Sequence, residues 1–168
     1  MAAGSTYTSI ATNTLGSAQA DVTFSSFSGY TDLILICSVQ TPSNNDVDLC
    51  VQFNSDTGNN YSRTYLLGDG TSAISGRNAS SSRIAAPSIS GNSVNSGVFT
   101  PVIYNFQNYA NSTTYKTVLV RTANSKGYEG ATVGLWSSTS AITAIKIFPA
   151  AGTLNTGSTF TLYGILAA

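Results

Sequence analysis

Few side chains in this sequence can do chemistry. Its 168 residues include no histidine, two cysteines (Cys37 and Cys50), one glutamate (Glu129) and six aspartates (Asp21, Asp32, Asp46, Asp48, Asp56 and Asp69). General acid–base and nucleophilic catalysis draw mostly on histidine, cysteine, lysine and paired carboxylates. A serine–histidine–aspartate triad needs an imidazole, and zinc needs histidine or several thiolates. No glycine-rich phosphate loop or dinucleotide fingerprint occurs. Asp46 and Asp48 would share one strand face, the nearest approach to the carboxylate pair of a glycosidase. A solvated strand face explains the same two residues. The stretch 54–60, Asn-Ser-Asp-Thr-Gly-Asn-Asn, is rich in the oxygen ligands calcium takes. It lacks the closing glutamate of an EF-hand, and Asx-turn chemistry accounts for the same composition. The expectation is a protein that is not an enzyme and uses no metal or cofactor.

Charge points the same way. Only 8% of the chain is charged, seven basic against seven acidic residues, where an ordinary soluble protein carries about 25%. The bases Arg63, Arg77, Arg83, Lys116, Arg121, Lys126 and Lys146 are dispersed, so no nucleic-acid footprint is expected. Ser, Thr, Asn and Gly make up roughly 45% of the residues. A neutral surface of hydroxyls and amides lacks the charge that keeps proteins apart, which suits a chain that packs into an assembly. The longest apolar run, at 33–37, is too short to span a bilayer. The start has neither the basic nor the apolar region of a signal peptide, so synthesis and assembly in a cytoplasm are expected, with no membrane partner.

The elements that must position these residues read as strands. No sustained i, i+3, i+4 apolar pattern marks a helix. Short β-branched and aromatic runs recur between turn clusters, at 6–12, 20–24, 32–39, 46–53, 61–67, 97–106, 115–123, 131–136, 141–148 and 159–165. In 46–53, Val47, Leu49, Val51 and Phe53 share one face, as a half-buried antiparallel strand requires. Residues 32–39 are apolar on both faces and predict a central strand covered on both sides. The fold class expected is all-β, an antiparallel β-sandwich with a jelly-roll-like arrangement. Residues 1–12 read as an extended N-terminal arm, and 13–168 as one sandwich domain with a long loop excursion near 68–97. A hairpin turning between Ser43 and Asn44 would set Cys37 opposite Cys50, as a disulfide or as two buried thiols.

Aromatic residues are the remaining binding material. Phe24, Phe53, Phe106, Trp136, Phe148 and Phe160 read as core. Tyr104, Tyr109, Tyr115 and Tyr128 read as candidates for a subunit or ligand interface, since tyrosine with Ser, Gly and Asn is the palette of adaptable binding surfaces.

Three segments carry a resemblance. They are an F-N-x-D turn (Phe53, Asn54, Asp56), a W-x-x-x-x-A-I-T segment (Trp136, Ala141, Ile142, Thr143) and a closing G-S-x-x-x-L-Y-G-I (Gly157, Ser158, Leu162 to Ile165). In this order the chain resembles small virion structural proteins of tailed bacteriophages, cyanophage-like, from about residue 10 to 165. The resemblance implies a capsid or tail component located in the virion and assembled in the host cytoplasm. The first expectation is a capsid decoration (cement) protein, a homotrimer bound to the major capsid protein. Its arm would add a strand to a neighbour's sheet through Tyr7 and Ile10. The alternative is a tail or fibre-associated protein that binds a receptor or host-surface glycan.

Overall fold

A computed structural model describes residues 6–43, 45–89, 91, 97–124 and 127–166. Among them twelve strands form and no helix: β1 (Tyr7–Thr14), β2 (Val22–Ser25), β3 (Asp32–Val39), β4 (Val47–Phe53), β5 (Tyr61–Gly68), β6 (Ala73–Ser81), β7 (Ile84–Ile89), β8 (Thr100–Phe106), β9 (Lys116–Asn124), β10 (Tyr128–Trp136), β11 (Ala144–Pro149) and β12 (Thr159–Ile165). They make an eight-stranded sheet in the order β1-β12-β3-β8-β9-β10-β5-β6 and a four-stranded sheet in the order β2-β11-β4-β7. Every pairing between these strands is antiparallel. The chain is an all-β sandwich.

Alternation decides which side chains enter the core. On β9, burial switches at every residue from Lys116 to Asn124. Leu33 and Leu35 of β3, Val102, Tyr104 and Phe106 of β8, and Phe160 and Leu162 of β12 face the small sheet. That sheet supplies Leu49, Val51 and Phe53 of β4, Ile84 of β7, and Ile145 and Ile147 of β11 to the same core. Each such side chain contributes about 1.5–3 kcal/mol by leaving water. The Tyr104 hydroxyl donates across the sandwich to the Leu49 carbonyl at 3.0 Å, so the one polar atom of that ring is satisfied in the core.

Two inward-facing strand glycines stand against bulky side chains. A Cβ on Gly134 of β10 would stand 2.5 Å from Ile84 Cγ2 of β7, and one on Gly164 of β12 would collide with the ring of Tyr30. The glycine of the closing motif therefore makes room for an aromatic ring, since a strand glycine permits close approach.

Three expectations are corrected. The segment expected as a loop near 68–97 contains β6 and β7, and residues 90 and 92–96 lie outside the described part. β6 is an edge strand, largely exposed, so it carries no apolar signature. β7 contains Pro87, which an edge strand tolerates because it has one side without a ladder. The Cys37–Cys50 hairpin does not form. β3 and β4 belong to different sheets, since β3 is already flanked by β12 and β8. Cys37 lies opposite Val102 and Phe160, Cys50 opposite Ala85 and Phe148, and both thiols are free and buried. Finally, most of the expected N-terminal arm is not free. Residues 7–14 form β1, paired with the chain's own β12, while residues 1–5 lie outside the described part.

Candidate interaction face

The outward side of the eight-stranded sheet carries several large apolar residues on its middle strands. Register sets the rows. Ile36 of β3 pairs with Ile103 of β8, Ile103 with Arg121 of β9, Arg121 with Ala131 of β10, and Ala131 with Leu66 of β5. The next row runs Ile34, Asn105, Leu119, Val133 and Thr64. These positions have the opposite parity to the core residues, so they cannot turn inward without a register slip. Ile36, Leu66, Leu119 and Val133 are 43%, 55%, 48% and 45% exposed. Several exposed apolar side chains on neighbouring strands mark an interaction site more often than scattered single residues do. β3 was expected to be covered on both faces; the described residues cover one.

The first of these rows lines a hollow of about 540 Å³, walled by Leu66, Pro101, Ile103 and Ala131. Small residues such as Gly68 and Ala123 are also among its lining. Arg121 and Glu129 are the charged groups of its lining. One base and one acid on an apolar wall can orient a protein partner.

The six sequence-selected residues do not gather into one patch. Tyr7 is 55% exposed and stands edge-on to Tyr163 at 6.3 Å. Tyr163 pairs with Ile34, so these two rings extend the outward face to its β1 edge. Ile10 sits at the bulge between Ser9 and Ala11 and packs partly against the core. Tyr104 and Tyr109 are corrected: both are buried within the chain and have no surface to offer a partner. Tyr104 has the inward parity of Val102 and Phe106 and stacks on Phe106 at 5.9 Å. Tyr109 follows Asn108, whose φ of 50° swings the chain back over the sandwich end, and its ring meets Phe27 edge-on at 5.6 Å. Tyr115 is 57% exposed and Tyr128 half-buried, at opposite ends of the β9–β10 pair. Sequence reading missed Ile36, Leu66, Leu119, Val133 and Arg121 as one surface. The available signal was the double-faced apolar pattern of 32–39.

Two of the three motif segments meet at a corner of the sandwich, and their role there is structural. Asn54, in the left-handed region at φ 51°, accepts on Oδ1 from the Thr143 amide (2.8 Å), the Thr143 hydroxyl (3.1 Å) and the Ala144 amide (3.1 Å). Its Nδ2 donates to the Ala141 carbonyl at 2.7 Å. Asp56 accepts from Trp136 Nε1 at 2.7 Å, from Asn60 Nδ2 and from the Gly58 amide. The Trp136 N–H foremost, with Asn60 and Gly58, holds the Asp56 carboxyl below its ordinary pKa against a smaller opposing effect of burial. The oxygen-rich stretch thus directs its carboxylate at N–H donors. Tyr61 closes the corner, its hydroxyl accepting from the Phe53 amide and donating to the Asp56 carbonyl, both at 3.0 Å. Burial pushes that phenol up to about 12. It also pushes the Cys50 thiol up to about 12 and Cys37 higher, so neither is a ready thiolate.

No family model, curated protein or solved structure matches this chain.

Proposed function

We propose that the protein is a structural component of a tailed-phage virion, a decoration protein that adheres to the capsid shell through the outward face of its large sheet. The observation that carries this reading is the exposed apolar surface of Ile36, Leu66, Leu119 and Val133, four large side chains on adjacent rows of a folded, neutral chain. Burying them against shell protein would add stability only in the assembled particle, which is how a cement protein works. The strand order supports the reading. With the hairpins β5–β6 and β9–β10 set aside as insertions, the remaining strands run 1-12-3-8 in one sheet and 2-11-4-7 in the other. We read this nested order as that of a jelly roll, an architecture common in capsid and lectin domains. The binding unit in this reading is a homotrimer.

Light scattering of the purified protein, then pelleting with bare capsids, tests it. A trimer that sediments in fixed ratio to the shell subunit, and a Leu119→Asp, Val133→Asp variant that folds but stays in the supernatant, are the expected results. A wild-type protein that ignores capsids and binds host cells would move the assignment to the tail.

A further inference from the structure

A second concave site lies where the β5–β6 hairpin overhangs the small sheet. It has a volume of about 290 Å³ and is lined by Asp48, Arg63, Asn78, Ser80, Ser81 and Arg83, with two alanines. That is the small end of the ligand-pocket range, room for one compact polar molecule. The chain has only seven basic residues in all, and two of them converge here against one carboxylate.

Arg63 is held in place before any ligand arrives. Its Nε donates to Asn78 Oδ1 at 2.9 Å, and its Nη1 donates to Asp48 Oδ2 at 3.0 Å and to the Ala85 carbonyl at 2.6 Å. The Tyr65 ring covers one side of the guanidinium, its centroid 5.0 Å from Cζ. The side chain is 16% exposed. Nη2 makes no hydrogen bond among the described residues, so one end of a rigid, planar donor fork remains for a ligand. Arg83, half-buried, also lines the groove; its side chain lies beside the buried Cys50 thiol and forms no ion pair among the described residues. Asp48 balances one guanidinium and the second leaves the groove with a surplus positive charge. Asn78 and the two serines add polar groups suited to hydroxyls.

We propose that this groove binds an acidic sugar residue, with the sugar carboxylate placed between the guanidinium groups of Arg63 and Arg83 and its hydroxyls on Asn78, Ser80 and Ser81. Guanidinium forks favour carboxylates over neutral groups because the paired hydrogen bonds are planar and charge-assisted. The proposal rests on the groove alone and holds whichever virion site the outward face occupies.

The test titrates sodium glucuronate into isotope-labelled full-length protein and follows backbone amides by NMR. Saturable shifts centred on residues 78–85 are expected with glucuronate. Its uncharged methyl ester and glucose should give none. Arg63 also secures the fold, so the informative variant is Arg83→Gln. It should keep the wild-type spectrum elsewhere and bind glucuronate about tenfold more weakly, the loss of one charge-assisted contact. Absence of saturable shifts with glucuronate overturns the proposal. So does equal response to glucuronate and its methyl ester, or to glucuronate and inorganic sulfate, which would reduce the groove to a general polar or anion-attracting surface.

Discussion

At the corner closed by Asn54 and Asp56, each side-chain oxygen of the two residues receives a donor from within the chain. On the outward face of the large sheet, Ile36, Leu66, Leu119 and Val133 keep 43–55% of their surface in water. The corner is made of polar residues in a turn, where solvent could have satisfied them, yet the fold uses them. The face is made of apolar residues on regular strands, where the fold could have buried them, yet does not. Self-satisfied groups hold a structure together; unsatisfied ones indicate what lies outside it. The motif residues that look most distinctive in the sequence belong to the first kind, and the plain isoleucines, leucines and valines to the second.

The contrast can be broken by substitution. Trp136→Ala removes a buried indole that packs on Phe53 at 5.5 Å and stacks on Tyr61 at 6.3 Å, and it leaves Asp56 without its main donor. It should cost about 3–5 kcal/mol in denaturant unfolding. If stability barely changes while capsid binding is lost, the corner rather than the face is the functional surface. Asn54→Ala should cost about 2–3 kcal/mol, because the Thr143 and Ala144 amides and the Ala141 carbonyl lose their partner together.

Alkali should also act on the corner and the core. Cys50 and Tyr61 both have folded pKa values of about 12, above their ordinary 9.0 and 10.0. Their neutral forms therefore contribute stability that is full below those ordinary values and lost as pH rises through the folded ones. Stability should fall from about pH 9 upward, by up to about 1.4 kcal/mol per pH unit for each group. Cys50→Ala should make the early part of that decline shallower. Asp56 acts at the other end of the scale. Its lowered pKa contributes stability above the ordinary carboxylate value of 3.8, lost as pH falls through the folded value. Asp56→Asn should cost about 1–2 kcal/mol at neutral pH, and its deficit relative to wild type should shrink in acid.

The face should show the smallest effect on stability. Leu119→Ser with Val133→Ser should change unfolding free energy by no more than about 0.5 kcal/mol per site, because both side chains are already half in water. The same pair should abolish co-sedimentation with capsids. Strong destabilisation would mean that the face is part of the fold's own core and would remove the main support for a docking surface.

Much of the sandwich was legible because alternation is local. The parity of Leu49, Val51 and Phe53 can be read along one strand, and the structure buries all three. Tyr104 was equally legible, lying two residues from Val102 and two from Phe106, but its residue type suggested an interface. Its parity placed it in the core, with the Leu49 carbonyl taking its hydroxyl. β6 was not legible because an exposed edge strand needs no apolar residues, and β7 was hidden by Pro87 and by polar neighbours. The Asn54–Thr143 clasp could be quoted as two motifs, but no spacing rule says that residues 89 apart share hydrogen bonds.

The sequence by itself determined an all-β chain, the approximate place of ten strands, the side each apolar residue prefers, and a chemistry poor in nucleophiles and paired acids. These follow from composition and from a period of two, which act over a few residues. Tertiary structure alone decided which strands share a sheet. It paired β1 with β12, sent β3 and β4 to opposite layers, and lined up residues from β3, β8, β9, β10 and β5 as one surface. It also brought Arg63, Asp48 and Arg83 around one groove. Strand pairing is a competition among all available edges, settled by burial on the far side of each strand. That balance is a property of the whole molecule, and no window of sequence contains it.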